Sequence, residues 1–249
     1  MTNLTRALLL LLAALPLAAD PLADVRTALG TLTGREPVRA TYELQRNVAN
    51  EGKLDNDKFG GKVSVELEAD ASGFRLVYPR PLLEQLEREQ QAKARSTKKV
   101  ETPTVVALQE IDPVGTADAL DFAPVLLRKL EGAKLLSDVQ GTWAGKPARV
   151  LVLRAADRID EEDKGRVKVL ENKITLWLGT DMVPLAAEHL ANMKFSVLIF
   201  KGELKQKESW HFARVADRLV RARYESTQNS SGMGQKGSEA VVATVRVHS

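Results

Sequence analysis

The sequence predicts an α+β domain in which a curved antiparallel sheet of about ten strands, a half-barrel or open barrel, encloses or is lidded by about three helices. Three observations predict it. An N-terminal helix-period segment precedes three strand-period ones, the last third of the chain is almost all strand-period, and the connectors there are short enough for sequential antiparallel pairing. The order helix, meander, two helices, long meander is not an alternating βαβ one, and a sheet this broad curls rather than staying flat.

Residues 1–19 hold one charge, Arg6, followed by the apolar run Ala7 to Leu15, then small residues, then Asp20. That order is an n-region, an h-region and a cleavage site, so a cleavable signal with a cut near Ala19 is expected, leaving 20–249 as a single domain in the periplasm or secreted. The run falls short of the roughly 20 apolar residues that span a bilayer, and no later segment approaches that length. The chain has no cysteine, hence no lipobox, disulfide or thiolate metal site. With 36 Lys+Arg against 33 Asp+Glu, the near-balanced charge does not point to nucleic acid.

The first helix is expected from Pro21 to Leu32, where Leu22, Val25, Leu29 and Leu32 share one face. Three strands follow: Val38 to Gln45, Lys62 to Ala69, and Phe74 to Tyr78 after the turn Asp70 to Gly73. A charged helix is read at Leu82 to Arg95, an exposed connector at Ser96 to Thr104, and a third helix at Asp118 to Leu130, with Pro124 near its first turn. Strands are then expected at Ala148 to Ala155, Val167 to Gly179, Val183 to Leu190, Lys194 to Phe200, Glu203 to Phe212, Leu219 to Thr227 and Ala240 to Val247. The polar stretches Asp157 to Gly165 and Gln228 to Gly237 read as turns or loops.

This organisation resembles the LolA/LolB-like periplasmic lipoprotein-carrier superfamily. The residues that carry the resemblance are the first helix feeding Tyr42 and Leu44, the phrase Gly73-Phe74-Arg75-Leu76-Val77-Tyr78-Pro79, and the strand, turn and proline-bearing strand from Ile174 to Leu185. The resemblance implies export, a curved sheet wrapped around helices, and an apolar cavity for an acyl chain. Leu82 to Arg95 departs from the family pattern, which usually continues in strands there.

No motif identifies a reaction. The string Gly232 to Gly237 matches G-x-G-x-x-G, but a strand rather than a helix follows it. His189, His211 and His248 lack ligand spacing, and no G-x-S-x-G elbow is present. The acidic runs at Asp55 to Asp57 and Asp157 to Asp163 lack the spaced ligands of a calcium loop and read as solvated tips. No enzyme activity, cofactor or metal is expected. What remains is the apolar inner face: Tyr42, Leu44, Val65, Leu67, Phe74, Leu76, Leu176, Leu178, Val197 and Ile199. It serves either as an ordinary core or as a cavity lining for a hydrophobic ligand, lipid or lipoprotein acyl chain. The alternative is a cell-envelope interaction module that pairs exposed strand edges with a protein partner; an exported hydrolase ranks below both.

Overall fold

The computed structural model describes residues 20–52, 56–197 and 200–248; the signal expected at 1–19 lies outside the described residues. Helix α1 (Pro21–Gly30) starts where Asp20 accepts a hydrogen bond from the Leu22 N–H at 3.0 Å and Pro21 takes the first position, where its missing N–H is no loss. Its buried residues Leu22, Val25 and Leu29 fall on one face, as the spacing requires.

Three strands follow, β1 (Val38–Gly52), β2 (Lys58–Asp70) and β3 (Gly73–Val77), and then α2 (Arg80–Arg95), α3 (Pro103–Leu108), α4 (Pro113–Leu120) and α5 (Ala123–Lys129). Seven more strands close the chain: β4 (Lys134–Trp143), β5 (Lys146–Arg154), β6 (Val167–Leu178), β7 (Pro184–Val197), β8 (Phe200–Val215), β9 (Arg218–Gly232) and β10 (Gln235–Val247). All ten form one antiparallel sheet in the order β3-β2-β1-β10-β9-β8-β7-β6-β5-β4, open between its two edges β3 and β4. Pairing of β10 with β1 welds the short N-terminal meander to the long C-terminal one.

Among the described residues there are five α-helices where about three helices are expected. The expected helix Asp118 to Leu130 is two, because Pro124 has no N–H to continue the earlier turn and its ring would collide with the carbonyl four residues back. The chain turns at Asp121 instead, and α5 starts with Pro124 in its first turn. The expected connector Ser96 to Thr104 runs into α3, whose first N–H groups are capped from afar. Buried Glu89 of α2 accepts from the backbone of Thr104 at 3.0 and 3.1 Å and of Val105 at 3.2 Å.

Strand β4 appears where no strand is expected, and the two segments Val183 to Leu190 and Lys194 to Phe200 are largely one strand, β7. The polar stretch Gln228 to Gly237 is also mostly strand. Its turn is only Met233-Gly234, with φ of 54° and 75°, the left-handed pair of a tight two-residue hairpin. The G-x-G-x-x-G string is therefore a hairpin tip.

Two apolar cores sit on the concave side. The first packs α1 and α5 on β5 to β8 around Leu126, Leu151, Leu176 and Trp210. The second packs α3 and α4 on β1, β2 and β10 around Leu120, Tyr42, Val65 and Ala243. Tyr224 of β9 touches both.

Candidate functional site

Strand parity explains where the helices stop. Leu176, Ile174 and Asn172 of β6 face the concave side, and register carries the same face across to His189 and Ala191 of β7, and to Glu208 and Gln206 of β8. Further along these strands, Val167, Val169, Met193 and Leu204 continue that face but belong to neither core. The floor there is apolar. On the neighbouring strands it turns polar, because Gln206 pairs with Gln228, Gln228 with Glu239, and Glu239 with Val48.

Three cavities follow this floor in series. The first, about 460 Å³, lies between the β5–β6 loop and Val167, Val169, Ile174, Ala191 and Met193. The loop leans to the concave side because Arg158 donates to the Arg128 carbonyl at 2.6 Å and to Glu131 at 3.1 Å, both at the end of α5. Asn172 also donates to the Ala156 carbonyl at 3.1 Å. Its acids include Asp157, Asp160, Asp163 and Glu171, against the bases Lys129 and Arg158.

Gln206 lines this cavity and the next, a polar chamber of about 270 Å³ bordered by Tyr42, Leu44, Arg221, Tyr224 and Ser226. Glu239 lines the chamber and the third cavity, about 1150 Å³, which reaches Val48, Phe59 and the approach to α3 at Val100, Pro103 and Val106. Pro103 sits tightly here, since a Cβ on Gly61 would fall 1.6 Å from its carbonyl oxygen.

A half-buried polar knot lies beside the first cavity and the chamber, with Lys129 and His189 lining the one and Tyr224 the other. Glu208 accepts from Tyr224 at 3.0 Å and faces His189 Nδ1 at 3.2 Å and Lys129 Nζ at 3.5 Å. The other His189 nitrogen lies 2.8 Å from Asn172, and Lys129 stands 4.9 Å from the Trp210 ring centre. Burial alone would raise the Glu208 pKa, but the His189 hydrogen bond, the Lys129 charge and the Tyr224 hydroxyl reverse that and hold it at about 2. Burial first, then the Glu208 charge, push Tyr224 up to about 12. The knot is a satisfied polar cluster that ties β6, β7, β8 and β9 to one another and to α5.

Of the residues singled out in the sequence, Tyr42, Leu44, Val65, Leu67, Phe74 and Leu76 gather in the second core, and Leu176 and Leu178 lie in the first. Tyr42 and Leu44 also border the chamber. Val197 ends β7 with its side chain outside the description, and Ile199 lies outside the described residues. His211 packs edge-on against Trp143, and His248 lies 2.9 Å from the Thr41 hydroxyl, so the three histidines are dispersed.

No helix among the described residues is long and apolar enough to cross a membrane. No family model matches the chain, and no curated protein matches it. Among solved structures it is similar to one described as "Crystal structure of MucB in complex with MucA(peri)", at 9% identity and a TM-score of 0.24, over 90% of this chain and 93% of that one.

Proposed function

We propose that the chain is an exported, non-catalytic binding protein for a hydrophobic, lipid-like ligand, held reversibly on the concave floor of the sheet. The observation that carries this reading is the loop-roofed cavity of about 460 Å³ over Val167, Val169, Ile174, Ala191 and Met193. It falls within the roughly 300–1,000 Å³ of ordinary ligand pockets. An alkyl chain laid there leaves water for an apolar wall, which favours binding by roughly 0.8 kcal/mol per methylene. The proposed ligand-binding surface is then the floor that runs outward from Ile174, at the margin of the first core, to Val167, Val169 and Met193, rather than the packed residues around Leu67 and Leu176.

A homologous series of alkyl ligands tests this by titration calorimetry. Affinity is expected to rise about fourfold per added methylene until the cavity is full. No dependence on chain length removes the reading.

A second reading is favoured by the β4 edge. Ten residues long and free of proline, it leaves Leu135, Leu136 and Val139 exposed, whereas the β3 edge has five residues and is stopped by Pro79 and Pro81. An envelope protein adding a strand at β4 would use that edge without any cavity.

A further inference from the structure

The hairpin that ends β4 fixes which of its backbone groups face the free edge. Strand β4 joins β5 through Ala144-Gly145, with φ of 49° and 78°, a two-residue turn whose flanking pair, Trp143 and Lys146, exchanges hydrogen bonds. Antiparallel pairs alternate, so Gly141, Val139 and Ser137 also bond to β5, while Thr142, Gln140 and Asp138 turn their N–H and C=O groups outward. Among the described residues no strand pairs with that side. No proline interrupts it, and the register shift at Leu136 bounds the regular stretch to Ser137 onward.

The side chains along this edge complement a second copy of themselves. Turned about a two-fold axis at Val139, an antiparallel copy sets Asp138 opposite Gln140, Val139 opposite Val139, and Ser137 opposite Gly141 of the second copy. Asp138 pairs with Leu151 of the first core and Gln140 with Arg149, so both face the concave side. Each Gln140 amide can then donate to an Asp138 carboxylate that Arg149 already holds in place at 2.9 and 2.7 Å. No like charges meet, because Asp138 is the only ionised residue from Ser137 to Trp143. On the convex face Val139 is 51% exposed, and register continues it through Val150 to Trp177 and Ala186. The Trp143 ring lies 5.1 Å from that of Trp177 and widens this apolar row. The two-fold axis joins the row to its own copy across the edge, and sets Leu136, 61% exposed, opposite Thr142 of the second copy.

We propose that two copies of this chain join through β4 in an antiparallel pair centred on Val139, uniting their two ten-stranded sheets into one. A foreign strand at this edge would have to bring the same pattern of amide, valine and small residues; the second copy carries it already. The pairing does not depend on a ligand in the cavities.

The chain has no cysteine, so a single introduced one tests the register. Val139 and its copy form a non-hydrogen-bonded pair with Cα atoms about 4.5 Å apart, within disulfide reach. Ser137 lies opposite Gly141 instead, and its own copy is beyond the roughly 7 Å limit. Oxidised Val139→Cys is expected to run as a covalent dimer on a non-reducing gel, and Ser137→Cys as a monomer. Sedimentation equilibrium of the wild-type chain should show a reversible dimer. Gln140→Pro removes an outward N–H and no β4–β5 hydrogen bond, and should weaken that dimer by roughly tenfold or more. Circular dichroism checks that each variant folds, and the cysteine pair carries the test if the proline variant does not. A wild-type chain that stays monomeric, a dimer that folded Gln140→Pro leaves unchanged, or cross-linking at Ser137→Cys rather than Val139→Cys overturns the proposal.

Discussion

The Tyr224 hydroxyl donates to Glu208 at 3.0 Å, and this bond joins the two halves of the molecule, because the Tyr224 ring packs against both apolar cores. Glu208 stands beside Trp210 on β8, so the same carboxylate ties β7, β8 and β9 together through His189 and Tyr224. Tyr224→Phe keeps the ring and removes one donor from a half-buried charge. Urea unfolding at neutral pH should show a loss of about 1–2 kcal/mol; an unchanged midpoint would mean that the bond contributes nothing.

Acid should unfold the protein partly through the same carboxylate. The Glu208 pKa is depressed to about 2 from 4.5, so its contribution is complete above the unfolded value and disappears as pH falls through the folded one. The loss between those limits is on the order of 3 kcal/mol. Tyr224 provides the alkaline counterpart: raised from 10.0 to about 12, it contributes fully below 10.0 and loses that contribution as pH rises through its folded value. Glu208→Gln should lower neutral stability and flatten the acid limb of a stability–pH curve; a parallel limb would assign acid sensitivity to other groups.

Asp217, in the β8–β9 turn, holds the segment after α1. Its carboxylate accepts from the Thr33 hydroxyl and from the backbone of Arg35 at 2.9 Å and Glu36 at 3.1 Å, and the pKa is held at about 2, chiefly by the Thr33 hydroxyl. Asp217→Ala should lower Tm by a few degrees and speed amide exchange at Arg35 and Glu36. Unchanged exchange at those two amides would show that the loop is fixed by other contacts.

Gly61→Ala should lift α3 from the sheet, since the new Cβ meets the Pro103 backbone rather than a movable side chain. A cost of about 1–3 kcal/mol is expected, with faster proteolysis between residues 97 and 106. Native proteolysis with lost stability would place the strain elsewhere.

The sheet was legible wherever one face is buried and the other wet, as along Val38 to Leu44 or Lys173 to Leu178, because burial imposes period two. It was illegible where that contrast fades. β4 is an exposed edge with adjacent Leu135 and Leu136 interrupted by a register shift, so it shows no alternation. The tips of β9 and β10 carry polar residues on both faces, since their concave side is open floor, and they read as loop.

The candidate site followed the same division. Period two found Tyr42, Leu44 and Leu176 but passed over Gln206, Glu208 and Arg221, which are polar residues in inward positions. Their parity was available: Gln206 and Glu208 fall in step with Trp210, and that is the signal that would have placed them inside.

Native mass spectrometry of the protein purified from a membrane-containing lysate tests the central claim most directly, with Met193→Asp as its control. Met193 is a partly exposed floor residue outside both cores, so the substitution places a charge in the cavity without emptying the interior. The wild-type chain should retain an added mass of lipid size that Met193→Asp loses. A wild-type chain at its bare mass, or an equal adduct on both proteins, would contradict a ligand on the concave floor.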